Sequence, residues 1–203
     1  MTAAVSLVDY GVGNLGSVRN MFKRIGVPTE DIADPDALPR AARVLLPGVG
    51  AFDHGMSTLV AGGWVDALRD HAAGGKPVLG ICLGMQLLLE SSEEGELPGL
   101  GLVPGSVRRF EAGSGLRVPH MGWNRAAPAL EHPLFAGLDD DARFYFVHSY
   151  YAAPQHEEHT LARSEYGRTF TSAVIADNVA GVQFHPEKSH HYGMQLLENF
   201  SRL

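Results

Sequence analysis

One short stretch, Gly80-Ile81-Cys82-Leu83-Gly84, constrains the fold more than any other, because it places the chain's single cysteine where a strand must turn into a helix. The run Lys76–Ile81 is apolar and short enough for a buried strand, and Gly84–Glu90 reads as the first turns of a helix. A sharp strand-to-helix elbow tolerates little bulk around it. Glycines two residues before and two after Cys82 let the backbone crowd in and lift the reactive atom. The elbow also aims a helix N-terminus at the sulfur, and such an environment favours the thiolate, the form that attacks. A lone cysteine is equally common as a small buried hydrophobe, so the elbow needs a base beside it.

Gly181-Val182-Gln183-Phe184-His185-Pro186-Glu187-Lys188 supplies one. An apolar run typical of a strand ends in His185, and Glu187 follows two residues later, on the same side if the chain stays extended. A carboxylate there fixes the imidazole tautomer and leaves the other ring nitrogen to take a thiol proton. A solvated His-Pro-Glu turn is the plainer alternative in a chain with 10 histidines. The histidines at 185, 190 and 191 read more simply as a triad member and a helix start than as a metal cluster, and no cofactor is implied.

At 203 residues and 45% hydrophobic, the chain suffices for one core, and we expect a single domain over 1–203. A net charge of −7 argues against a general nucleic-acid surface. One cysteine excludes an internal disulfide framework and suits a reducing cytoplasm. Met1–Asp9 lacks the basic region of a secretory leader, and the apolar runs fall short of a membrane span.

In the first half, strand patterns at Ala3–Val8, Val27–Ile32, Arg43–Leu46 and Lys76–Ile81 alternate with helical ones at Asn14–Ile25, Met56–Leu59 and Trp64–Ala73. This order predicts a mainly parallel sheet covered by helices. The second half offers strands at Val103–Phe110, Arg143–Tyr151, Thr169–Asp177 and Gly181–His185, with antiparallel or mixed pairing, and a closing helix over Ser189–Leu203. Glu93–Gly105, rich in Gly, Glu and Pro, reads as a surface loop.

Two glycine-rich loops follow predicted strands. Asp9-Tyr10-Gly11-Val12-Gly13-Asn14-Leu15 superficially matches a dinucleotide loop, but Gly16 meets the third glycine's spacing only loosely. Pro47-Gly48-Val49-Gly50-Ala51 lies at the strand C-termini, where ligand sites of parallel sheets form. Its backbone N–H groups, with that of Leu83, are candidates to hold the oxyanion of a tetrahedral intermediate, worth about 3–4 kcal/mol per donor. A plain β-turn remains the alternative.

Gly80–Gln86 together with Phe184–Glu187 resembles the class I, triad-type glutamine amidotransferases. Asp9–Leu15, Pro47–Phe52, Pro119-His120-Met121-Gly122-Trp123-Asn124 and Val182–Ser189 are similar, within that family, to the glutaminase subunits of imidazole glycerol phosphate synthases. The resemblance spans the chain except the loops 112–115 and 155–159. It implies a single-domain class I glutamine amidotransferase fold, a central mixed, mostly parallel sheet flanked by helices, with the nucleophile elbow at Cys82.

The resemblance further implies that Cys82 attacks the glutamine side-chain amide, that His185 moves protons and that Glu187 orients it. Gly48, Val49, Gly50 and Leu83 would serve the oxyanion, while Gln86, Ser149 and Tyr150 would line the glutamine pocket. Ammonia would pass to a cyclase subunit, a (β/α)8 barrel for which this chain lacks the length. Asn14, Met121, Trp123 and Lys188 would meet that partner; covering the domain's own core is the alternative for Met121 and Trp123. Glycines flanking Val49 suggest a peptide that flips its carbonyl out of the oxyanion site when the partner binds. Amidotransferases of other pathways, a cysteine hydrolase of similar architecture and a silent binding subunit are the rivals.

Overall fold

The alternating pattern of the first half winds a parallel sheet whose apolar strands are covered on both faces. The computed structural model describes residues 3–111, 116–139 and 141–203. The loop 112–115, and the first two residues of the stretch read for a leader, lie outside the described residues. In chain order the first elements are β1 (Val5–Val8), α1 (Leu15–Arg24), β2 (Thr29–Ile32), β3 (Val44–Gly48), α2 (Phe52–Ala61), α3 (Trp64–Ala73), β4 (Val78–Cys82) and α4 (Leu83–Leu87). The second half adds β5 (Ser91–Ser92), β6 (Gly105–Arg109), β7 (His120–Arg125), β8 (Ala127–Pro128), β9 (Arg143–His148), β10 (Tyr150–Pro154), β11 (Thr160–Glu165), β12 (Thr169–Ala176), β13 (Val179–Val182) and α5 (His190–Phe200).

The main sheet runs β2-β1-β3-β4-β13-β12-β10-β6-β5, with β11 and β8 branching from β12. From β2 to β13 the pairing is parallel; β12, β10 and β6 then pair antiparallel. The sheet is therefore mixed, as expected. Successive side chains of a strand face opposite sides, so Val5, Leu7, Leu45, Leu79 and Ile81 join the core under α1 and α5. Val8, Val44, Leu46 and Val78 join the core under α2, α3 and α4. Burial on both faces is why these strands read as unbroken apolar runs. Helix α1 starts where Asn14 Oδ1 accepts the Ser17 N–H at 3.1 Å, and it buries Val18, Met21 and Phe22.

Three sequence expectations are corrected. Pro119–Asn124, taken as a loop, is mostly strand β7, which pairs with β9 in a separate two-stranded sheet. The run Arg143–Tyr151 is not one strand: it breaks at Ser149, sending β9 to the small sheet and β10 to the main one. Glu93–Gly105 is no simple surface loop. Asp53 holds the amides of Glu96 and Leu97 at 3.0 Å each, Leu100 and Val103 are buried, and the Leu100 and Leu102 amides bond the Leu87 and Leu88 carbonyls. The segment folds back to satisfy the carbonyls that α4 leaves open, and α4 accordingly ends at Leu87 rather than continuing to Glu90. Strand β11, Thr-Leu-Ala-Arg-Ser-Glu, carried too little apolar alternation to be read.

Glycines at the elbow test this packing. A Cβ on Gly84 would lie 2.0 Å from the Leu46 carbonyl oxygen, a backbone atom that cannot step aside. Gly84→Ala is expected to destabilise the protein by at least about 3 kcal/mol. Gly16→Ala, in α1 with only Asn14 Oδ1 at 3.6 Å from the new carbon, is expected to stabilise it by about 0.5 kcal/mol. Urea unfolding of the two variants checks both signs.

Candidate active site

Parallel order brings the chemistry to one sheet edge. Gly48 ends β3 in register with Cys82 at the end of β4, and β13, on the other side of β4, runs out through Gln183 to His185. Cys82 takes φ 54° and ψ −111°, a conformation that L-residues rarely adopt. Close backbone approach makes it possible. A Cβ on Gly80 would meet the Gly84 carbonyl at 2.7 Å, and one on Gly48 would meet the Gly84 nitrogen at 2.7 Å and the Leu83 side chain at 2.9 Å. Gly48 is thus buried beneath the elbow, while Val49, 46% exposed, and Gly50, with φ 101°, form the rim above it.

His185 is fixed from three sides. Its backbone N–H donates to the Tyr145 carbonyl of β9 at 2.9 Å. Ser189 Oγ donates to the His185 carbonyl at 2.6 Å and accepts from the Tyr145 amide at 3.0 Å. The ring's Nδ1 donates to Glu187 Oε1 at 2.7 Å, with both side chains under 5% exposed, at 3% and 4%. The chain does not stay extended between them: Pro186–Lys188 is a 3-10 turn, which swings Glu187 under the ring. Nε2 is buried without a well-formed hydrogen bond, on the ring's open side. Burial, the largest single influence, pushes the imidazole's proton affinity down. The nearby Cys82 sulfur and the Glu187 hydrogen bond, with the negative charge on both groups, outweigh it and raise the His185 pKa to about 9. An imidazolium between a thiolate and a carboxylate is the arrangement this favours.

A cavity of about 380 Å³ opens over the sulfur. Val49, Gly50, Cys82 and Leu83 form one wall, and His148, Ser149, Tyr150 and His185 another. Gln86, one turn along α4, lines it but is already engaged: its Nε2 donates to the Tyr150 carbonyl at 3.2 Å and to Gln183 Oε1 at 3.0 Å. Gln183 in turn points its Nε2 at Cys82 Sγ, 3.8 Å away. The sequence reading missed Gln183, although a glutamine inside an apolar strand run two residues before His185 was a legible signal. It also missed Glu94, a carboxylate on the cavity wall that accepts the Phe52 amide at 2.9 Å, and Tyr10, buried below, which donates to the Pro47 carbonyl at 2.9 Å. A larger cavity of about 550 Å³, beside α3, is lined by Asp66, Asp70, His71 and Lys76 and lies away from Cys82 and the His185–Glu187 pair.

Met121 and Trp123 are 62% and 48% exposed, so they do not cover the domain's own core. The Trp123 ring stacks on His190 at 5.2 Å, and Lys188 Nζ lies 5.6 Å from the Tyr145 ring. Lys188, His190 and α1 residues Ser17 and Asn20 line a cleft whose inner wall is Glu187. Asn14 is exposed and caps the same helix.

The family model for class-I glutamine amidotransferases matches residues 6–202. The imidazole glycerol phosphate synthase subunit HisH 2 of Pseudomonas aeruginosa is 50% identical over 200 residues, 98% of this chain and 99% of that protein. The subunit HisH of Bdellovibrio bacteriovorus is 49% identical over 203 residues, 98% of this chain and 100% of that protein. Among solved structures, PurLQS from Thermotoga maritima superposes with a TM-score of 0.78 at 18% identity, covering 100% of this chain and 99% of that one, which is a likeness of fold.

The charge pattern around His185 has a pH signature. Loss of the imidazolium proton removes the acid needed by a leaving amine, so turnover is expected to decline as pH rises through about 9. Glu187→Gln removes a charge that holds this proton. It is expected to move the alkaline limb toward the ordinary histidine value near 6.5 and to lower kcat on the order of 10²-fold or more. A pH profile of both proteins checks the direction.

Proposed function

The chain belongs to the class-I glutamine amidotransferase family, and from that premise we propose what its site does. It is the glutaminase subunit of an imidazole glycerol phosphate synthase, hydrolysing glutamine to glutamate and ammonia for histidine biosynthesis. The pathway rests on about 50% identity over nearly the whole length to subunits of that name. The chemistry rests on one observation: Cys82, held in a strained elbow, shares a cavity with a buried His185–Glu187 pair.

In the proposed mechanism the Cys82 thiolate attacks the side-chain amide carbon of glutamine, and the carbonyl oxygen becomes an oxyanion. Backbone N–H groups of Leu83 and the Val49–Gly50 rim are its donors. Gly48 contributes space rather than a contact, since it lies below the elbow. The imidazolium of His185 gives its proton to the departing nitrogen, ammonia leaves and a glutamyl thioester remains on Cys82. His185, now neutral, takes a proton from water as that water attacks the thioester. Glutamate leaves and the thiolate–imidazolium pair is restored. Glu187 holds the ring and its Nδ1 proton throughout. Glu94 offers the carboxylate for the substrate's α-ammonium, and Ser149 and Tyr150 form the facing wall.

Whole-chain residues 1–203 act as one glutaminase domain in this reading, paired one to one with a (β/α)8-barrel cyclase subunit in the cytoplasm. No helix among the described residues is long and apolar enough to cross a membrane. Asn14, Met121, Trp123 and Lys188 belong to the docking face, where the exposed indole of Trp123 suits an interface anchor. Ammonia leaving His185 on this side meets the partner rather than solvent. The left-handed Gly50 makes rotation of the peptide beside Val49 inexpensive, and docking would favour the orientation that donates to the oxyanion.

Two assays test this reading. Glutamate release by the purified chain is expected to rise at least tenfold when a histidine-pathway cyclase and its nucleotide are added; equal rates would remove the gated oxyanion site. Cys82→Ser, assayed in the complex, is expected to lose glutamine-dependent synthesis by at least about 10³-fold while keeping synthesis from added ammonia.

A further inference from the structure

Two buried histidines, His148 in the cavity wall and His120 behind it, take no part in the mechanism above. His120 is 3% and His148 6% exposed. Each is bonded, and the bonds fix their direction. His148 Nδ1 lies 2.7 Å from the Tyr150 carbonyl, an oxygen that only accepts, so Nδ1 carries the hydrogen. Burial above all lowers the His148 pKa to about 3 and that of His120 to about 4, so both rings are neutral at working pH. His148 Nε2 is then an acceptor. It faces His120 Nδ1 at 2.9 Å, which must donate. His120 Nε2 accepts in turn from Asn124 Nδ2 at 3.3 Å, and Asn124 is held by the Glu165 carbonyl at 2.8 Å and the Arg125 amide at 2.8 Å. Every donor in the chain points one way, toward Tyr150. The ring of His120 lies between Tyr166 at 4.0 Å and Phe146 at 4.9 Å, both nearly parallel to it, which shields the bonds from water.

Both ends of this chain matter. The Tyr150 carbonyl also accepts from Gln86 Nε2, so the Tyr150–Tyr151 peptide, just past the break at Ser149 where the chain passes from the small sheet to the main one, is held by two donors. At the far end, His120 and Asn124 occupy the inner face of β7, whose outer face carries Met121 and Trp123. We propose that His148 and His120 are positioning residues, a one-directional hydrogen-bond relay that sets the Ser149–Tyr150 wall of the glutamine pocket from the strand bearing the exposed Met121 and Trp123. The relay acts through the Tyr150 carbonyl. A core role alone would need only the shape of the two rings.

This inference rests on the glutaminase reading, and its test separates the two. Nitrogen-15 NMR of the histidine-labelled chain at neutral pH is expected to show two histidines in the neutral Nδ1–H tautomer, with His148→Asn removing one of them. Finding both in the Nε2–H form would overturn the relay. Kinetics of the complex gives the functional arm. His120→Asn keeps an N–H at the position of Nδ1, facing His148 Nε2, and His120→Gln moves the amide to the position of Nε2. The Asn variant is expected to keep KM for glutamine within threefold, and the Gln variant to raise it about tenfold, with kcat and ammonia-supported synthesis within threefold in both. Equal KM values in the two variants, whether both normal or both raised, would overturn the positioning role. A wild-type complex that makes product from ammonia but not from glutamine would instead sink the glutaminase reading, while the tautomer measurement would still judge the relay.

Discussion

The close approach of Gly84 to the Leu46 carbonyl is the contact on which the site depends. Without it α4 could not start directly at the end of β4, and Cys82 would have no reason to hold a left-handed backbone. Glycines at 48, 80 and 84 remove the side chains that would otherwise separate β3, β4 and α4. The elbow therefore costs local strain and is offset by the tertiary packing around it. The apolar strands are buried on both faces, and that burial keeps the elbow from relaxing.

Topology does the rest of the assembly. Because β3, β4 and β13 are parallel neighbours, their C-terminal ends deliver the Val49–Gly50 rim, Cys82 and His185 to the same edge in adjacent lanes. The small sheet of β7 and β9 closes the site from outside: Tyr145 of β9 fixes the His185 backbone, and His148 at its end forms the cavity wall. One element thus has His185 on one side and an exposed aromatic face on the other. That geometry explains how a docked partner could be sensed at the nucleophile without touching it.

Features set by local chemistry were legible in the sequence. The Gly-Ile-Cys-Leu-Gly frame specifies its elbow through steric exclusion, the His-Pro-Glu run announces its pair, though through a 3-10 turn and not the extended chain expected, and the doubly buried strands announce themselves as apolar runs. Features set by long-range pairing were not. Nothing within Arg143–Tyr151 says that Ser149 divides two sheets, because strand-favouring aromatic residues lie on both sides of it. Pro119–Asn124 looks like a loop, with Pro and Gly in it, until β9 supplies its partner. Glu94 and the His120–His148 pair are ordinary polar residues in sequence, whereas Gln183 stood out in its apolar run and was passed over. They become part of the site only when burial and hydrogen bonding bring them to it.

The central claim is that Cys82 is the nucleophile of a glutamine site, and a glutamine analogue carrying a chloroketone in place of the amide tests it most directly. Peptide mapping after reaction is expected to find one adduct, on Cys82, forming more slowly as free glutamine is added. An adduct elsewhere, or labelling of Cys82 that glutamine does not slow, would contradict the account.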